Sequence, residues 1–279
     1  MKAIIFDLQR GSFVDGPGIR TTVFFKGCNL RCKWCHNPES QEKSPELIYF
    51  RNKCSGCGKC KEICKNHLLS CSLCGKCALF CPNDAREICG KEQTTDEIMD
   101  EIMLDKRYYD SSNGGVTFSG GECMLQLEAL TELLKRSKEK GVHTAVDTAG
   151  NVPRESFERI LPYTDLFLYD VKCVTESLHK EGTGVSNRLI LSNLEFLASK
   201  GANITVRYPV IPSFNDKREE LTGAARLIYS LGIKSVELLP YHAMGEHKWP
   251  AVNKPVVRYS APTDEQMAEY RELFNQILG

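Results

Sequence analysis

The 279-residue sequence predicts an α/β protein built from parallel strands joined by crossover helices. Strand and helix signals alternate six times, with polar residues just beyond the strands' carboxyl ends, where parallel sheets gather functional groups. The cysteines are also segregated: eleven of 14 lie between Cys28 and Cys81, and the alternation runs on after them.

Thr21-Thr22-Val23-Phe24-Phe25 reads as a buried strand entering a loop at Cys28, and residues 36–89 form a cysteine-bearing insert. Thr94-x-x-Glu97 predicts a capping box before Ile98, Met99, Ile102 and Met103 at helical spacing. Val116–Phe118, Thr144–Val146, Leu166–Tyr169, Ile204–Val206 and Ser235–Leu239 are the later strands. Helices follow from Leu127, Leu130 and Leu134, from Leu194 and Leu197 ending at Gly201, and from Leu221 to Ile228 ending near Gly232. The last helix takes Thr263 as cap and lays Met267, Tyr270, Phe274 and Ile277 on one face. Spacing alone does not separate an open sheet from a barrel.

Length allows one large domain carrying a small insert. With 36 basic and 36 acidic side chains, nothing suggests a polybasic surface, so no nucleic-acid partner is expected. No run is long and apolar enough for a membrane span, and Met1–Asp7 lacks signal-peptide regions. Fourteen cysteines in such a chain suit ligands in a reducing cytoplasm better than a disulfide framework.

Cys28-x3-Cys32-x2-Cys35 supplies three thiolates, leaving one iron of a four-iron cluster for a non-protein ligand. Cys54, Cys57, Cys60 and Cys64, then Cys71, Cys74, Cys77 and Cys81, repeat a ferredoxin-type spacing in which each run's fourth cysteine serves the other cluster. C-x2-C pairs also suit tetrahedral zinc. Only six residues separate Cys64 from Cys71, which predicts a reduced or absent hairpin there.

The cysteine loop resembles the signature of radical S-adenosylmethionine enzymes. Further motifs narrow the likeness: Asp15-Gly16-Pro17-Gly18-Ile19-Arg20, Gly27 through Glu39, Thr117 through Glu122, Asp147-Thr148, Tyr169 through Lys172, Val206 through Pro209, and Leu239 through His242. In their order and spacing they resemble the glycyl radical enzyme activating enzymes, in the subgroup with a ferredoxin-like insert.

That resemblance implies an incomplete (β/α)6 TIM-like barrel from residues 1–35 and 90–279, with 36–89 as a two-cluster ferredoxin-like insert. It implies three [4Fe-4S] clusters, S-adenosylmethionine at the open iron, and a monovalent cation near Asp147, Thr148 and Asp170. Trp34 shields the cluster; Gly120, Gly121 and Glu122 meet the cofactor's amine; Asp147, Asp170 and Lys172 hold its carboxylate. Arg207 contacts the cofactor as well, and His242 lies toward its sugar or adenine. Asp15, Gly16, Pro17 and Gly18 meet a glycyl radical enzyme as protein substrate, and flavodoxin or ferredoxin serves as reductant. The chain is expected to be monomeric, and no general acid or base is assigned, because the cofactors do the chemistry. Alternatives are radical chemistry on a small molecule or peptide, and electron transfer alone.

Overall fold

A computed structural model describes residues 1–66 and 70–279. Strands β1 (Lys2–Ser12) and β2 (Arg20–Phe25) pair antiparallel. Next come β3 (Glu46–Tyr49), the short helices α1 (Lys59–Ile63) and α2 (Lys76–Leu79), and β4 (Arg86–Cys89), which closes a separate two-stranded sheet with β3. The expectation of a shortened Cys64–Cys71 connection falls partly outside the described residues.

β5 (Lys91–Thr94) returns to the main sheet, antiparallel to the start of β1. Helices α3 (Thr95–Met103) and α4 (Lys106–Ser112) lead to β6 (Gly115–Gly120), followed by α5 (Leu127–Glu139) and β7 (His143–Thr148). Then come α6 (Arg154–Ile160), β8 (Leu166–Asp170), α7 (Glu176–Thr183), α8 (Arg188–Ser199) and β9 (Ile204–Val210). The chain continues through α9 (Arg218–Ser230), β10 (Ser235–Pro240), α10 (Lys248–Ala251) and α11 (Asp264–Leu278).

The main sheet is ordered β10-β9-β8-β7-β6-β2-β1-β5. Its six parallel strands are the six expected from the sequence, and β2 pairs with β6 in the register Arg20 to Gly115 through Phe25 to Gly120. The antiparallel strands β1 and β5, and the small hairpin, are additional. β1 mixes charged and apolar residues along an irregular register, so its pattern signals a strand only once β2 and β5 flank it.

Both predicted capping boxes form: Thr94 with Glu97 starts α3, and Thr263 with Gln266 starts α11. The core lies between the sheet and its helices. Leu130, Leu133 and Leu134 of α5 pack into it with Phe118, Val146 and Phe167. Among the described residues, no helix is long and apolar enough to cross a membrane.

The loop between β1 and β2 runs across the sheet's inner face. Arg20, fully buried, donates to Pro17 O at 3.1 Å, Thr117 Oγ1 at 2.6 Å and Val116 O at 2.5 Å. Burial pulls its guanidinium down to about 10. Gly18 adopts φ +69°, and a Cβ there would collide with the backbone of Gly114. Gly18→Ala is therefore expected to cost about 3 kcal/mol in urea denaturation, combining left-handed strain with the clash. Gly141→Ala, with φ +66° but nothing within 4 Å, should cost only about 1 kcal/mol. Equal losses in the two variants would remove the close backbone pass from the account.

Candidate active site

The carboxyl ends of the parallel strands open onto a cavity of about 320 Å³. Cys28, Cys32 and Cys35 enter it from the loop after β2, held at three points. Arg31 N donates to Thr183 O at 2.7 Å and Lys33 N to Gly182 O at 2.9 Å, both at the end of α7. Trp249 of α10 donates its Nε1–H to Cys35 O at 3.0 Å. Trp34 is buried with its ring 5.0 Å from Phe214, and the two rings leave no space for a side chain at Gly182. Phe214, Gly182 and Trp249 were not anticipated; their role comes from contact across the fold, which no local pattern announces.

Burial raises all three thiols, Cys28 to about 12. A positively charged metal centre is the kind of group that would favour their thiolate forms. Cys28, Cys32 and Cys35 line one cavity together and are soft donors of the type such a centre takes.

The facing wall is ionic. Lys172 Nζ lies 2.7 Å from Asp170, and Arg207 lies 3.5 Å from Asp147 and 3.1 Å from Glu237. Burial opposes both cations, yet Asp170 holds Lys172 above its ordinary value, while Asp147, Asp170 and Glu237 do the same for Arg207. Burial raises Asp147, with Arg207 pulling against it, and Ser119 donates to its other oxygen at 2.6 Å. Gly120 and Gly121 line the same cavity, and Gly120 at φ +119° lies against the Phe25 backbone with no room for a Cβ.

Glu122 is placed differently from expectation. Its carboxylate turns inward, accepting from Thr148 Oγ1 at 2.8 and 2.9 Å, Ala149 N at 3.1 Å and Met124 N at 3.3 Å. It is fully buried and braces the turn, so Gly120 and Gly121 are what this segment presents to the cavity. Of the residues expected around a monovalent cation, Thr148 donates its hydroxyl to Glu122, Asp170 faces Lys172 and Asp147 faces Arg207. His242 sits exposed, stacked 4.0 Å from the ring of His36, which itself lines the cavity.

In the loop after β1, Asp15 accepts from Ser12 Oγ at 2.5 Å and Thr22 Oγ1 at 2.7 Å, and its carbonyl from Thr117 at 2.6 Å. Asp15 reaches the cavity. On the other side, Phe13, Val14 and Gly16 border a groove of about 890 Å³ against β10 and α11.

Comparison with known proteins decides the family. The chain is 40% identical to the trans-4-hydroxy-L-proline dehydratase activating enzyme of Clostridioides difficile, over 98% of this chain and 96% of that one. It is also 40% identical to the choline trimethylamine-lyase activating enzyme of Oleidesulfovibrio alaskensis, over 89% and 86%. The chain belongs to the glycyl radical enzyme activating enzymes. It is a radical S-adenosylmethionine oxidoreductase that cleaves this cofactor reductively to place a radical on a partner glycyl radical enzyme.

Among solved structures, a domain of the pyruvate-formate lyase-activating enzyme from Bacteroides vulgatus superposes with a TM-score of 0.51 at 28% identity, over 59% of this chain and 94% of that one. A radical SAM methyltransferase from Sphaerobacter thermophilus superposes with a TM-score of 0.60 at 15% identity, over 99% and 71%. The mixed sheet of this activating enzyme is thus a partial barrel of the radical SAM type.

A family model described as a 4Fe-4S single cluster domain matches residues 14–190. This corrects the expected inventory of three clusters. In the structure, Cys54, Cys57, Cys60 and Cys81 border one pocket of about 30 Å³, and Cys64, Cys71, Cys74 and Cys77 another of about 70 Å³. Cys54, Cys57, Cys71 and Cys74 are exposed, and among the described residues no group of three or more His, Cys, Asp or Glu side chains is set to hold a metal ion. The family supports one cluster, not three.

Burial raises Glu122 to about 7, from 4.5 in the unfolded chain. Between those values the folded state binds the extra proton, so this activating enzyme should lose stability as pH rises, by about 3 kcal/mol in all. Glu122→Gln is expected to flatten that slope in urea denaturation between pH 5 and 7.5; an unchanged slope would show Glu122 ionised throughout.

Proposed function

We propose that Cys28, Cys32 and Cys35 hold the activating enzyme's [4Fe-4S] cluster, and that the cavity beside them receives S-adenosylmethionine. The carrying observation is that these thiols, the paired charges of β7 to β9 and the Asp15 loop all border one cavity. When bound, the cluster supplies the electron that splits S-adenosylmethionine into methionine and a 5′-deoxyadenosyl radical, the species that takes hydrogen from a glycine α-carbon.

The chain's own residues orient and enclose. Lys172 offers a cation to the cofactor's carboxylate, and Asp147 and Asp170 offer acceptors to its ammonium. Gly120 and Gly121, without side chains, admit close approach of the ligand to the backbone. Arg207 spans the cavity floor, Trp34 closes the wall behind the thiols, and His36 with His242 forms the rim toward the sugar and base. No residue has to donate or accept a proton in the reaction.

The Asp15-Gly16-Pro17-Gly18 loop separates this cavity from the groove against β10, whose outer edge carries no strand among the described residues. Phe13 and Val14, 74% and 73% exposed, present apolar surface there. We read this loop and groove as the seat of the partner's glycine-bearing segment, since so reactive a radical must form beside its target. Residues 1–35 and 90–279 form the barrel in this reading and 36–89 an insert; the enzyme works as a cytoplasmic monomer reduced by flavodoxin or ferredoxin.

Anaerobically reconstituted, reduced protein is mixed with S-adenosylmethionine and a panel of glycyl radical enzymes that includes trans-4-hydroxy-L-proline dehydratase and choline trimethylamine-lyase. A partner-dependent glycine-radical doublet in electron paramagnetic resonance, with 5′-deoxyadenosine, is expected. Cys28→Ser, Cys32→Ser and Cys35→Ser should each reduce both signals to background. Deoxyadenosine without a doublet from any partner would favour a small-molecule or peptide substrate. Full activity in a Cys→Ser variant would overturn the ligand assignment.

A further inference from the structure

β10 is the open edge of the main sheet. It pairs with β9 in an unbroken parallel register from Ser235 with Thr205 to Pro240 with Val210, and among the described residues no strand lies on its other side. None of its residues is buried, whereas β9 is buried at every position but Pro209. Tyr241 N donates to Val210 O at 3.1 Å, and this bond sets the phase of the edge. Successive residues of a strand turn their N–H and C=O groups to opposite sides, so Glu237, Leu239 and Tyr241 face β9 while Val236 and Leu238 turn theirs outward. Pro240, the next outward position, has no N–H.

Natural sheets blunt an open edge with bulges or outward charges. β10 has no bulge, and its one charged residue, Glu237, is paired with Arg207. The groove of about 890 Å³ is lined by this edge, by Phe13 and Val14, and by Phe274 and Leu278 of α11. Leu239 borders both that groove and the cavity at the cysteine loop, and Pro240 borders the cavity.

We propose that the partner glycyl radical enzyme adds its glycine-bearing segment to β10 as an extra strand, hydrogen-bonded to the outward N–H and C=O groups of Val236 and Leu238. The proposal rests on the reading of the loop and groove as the partner's seat, and gives the way that seat holds an extended chain. Main-chain pairing supplies the affinity, and the side chains around the groove supply the selection. The ladder loses its donor at Pro240, so the segment leaves it where the edge meets the cavity. At about 3.3 Å per residue, a glycine within about three residues of the last pair lies over the cavity. A second copy of this chain would pair with the same edge without delivering a substrate; the continuity of edge and cavity selects the partner.

The test uses the full-length reconstituted enzyme and the glycyl radical enzyme with which it gives the radical doublet. Hydrogen–deuterium exchange is followed across residues 235–241, and the partner is expected to slow exchange of the Val236 and Leu238 amides. Val236→Pro combined with Leu238→Pro deletes both outward donors and keeps the bonds to β9, and should weaken partner binding at least about tenfold. Phe13→Ser combined with Val14→Ser strips the loop of its apolar surface and tests the seat itself. Weaker binding in the serine variant, with unchanged affinity in the proline variant and no protection along β10, overturns the proposal and leaves the seat standing. Unchanged affinity in both variants overturns the seat and the proposal together. Should the proline variant not fold, the exchange measurement on the unaltered chain decides. Sedimentation that shows the enzyme alone as a dimer, dissociated by the two prolines, gives the edge to a second copy and overturns the proposal as well.

Discussion

Opposed charges buried at the carboxyl ends of β7, β8 and β9 are what the site depends on. An unpaired ion in such surroundings costs several kcal/mol, so Asp147 and Asp170 are tolerable there only because Arg207 and Lys172 face them. Sheet register brings these groups to one level: Asp170 stands opposite Arg207 across β8 and β9, and Asp147 opposite Leu168 across β7 and β8. A one-residue slip of any of these strands would turn its charge out of the cavity and an apolar side chain in. Ser119 from β6 takes up a further lone pair of Asp147, so four strands contribute to one balanced set.

The cysteine loop has no secondary structure of its own to define it, and its shape is borrowed from distant parts of the chain. Its middle is tied to the end of α7, its exit to Trp249, and its entry to Ser40 and Gln41. Beyond the exit, Lys248 bonds Asn37 at 2.8 Å and Glu39 at 2.7 Å, so one short helix fixes the loop from outside. Three thiols are thus presented together by contacts that need the barrel already assembled. The site is consequently built on rigid elements although its cysteines lie in a loop.

Much of this was legible in the sequence, for physical reasons. The six parallel strands are short, largely apolar runs, and the capping boxes at Thr94 and Thr263 are local chemistry that needs no tertiary context. Polar residues at strand ends marked the cavity because a core would exclude them. Glu122 shows where that reading stops. Its position after two glycines suggests a ligand contact, but whether the side chain turns to the cavity or to Thr148 depends on the path of the turn. Cysteine spacing has the same limit, since it says which thiols can share a neighbourhood and not how many clusters the protein holds. β1 was illegible because a strand with mixed polarity acquires its pattern only from the partners that flank it.

Arg207 joins the two halves of the functional surface. One nitrogen faces Asp147 in the cavity, Nε faces Glu237 on β10, and Nη2 donates to Val14 O at 2.6 Å in the loop that borders the groove against β10 and α11. The guanidinium is planar and rigid, so these contacts cannot be adjusted independently. A shift of the Val14 carbonyl must move the fork or break one of its bonds, and either changes the charge presented beside Asp147. The loop facing the groove and the charged wall of the cavity are therefore one mechanical unit, joined by a single side chain.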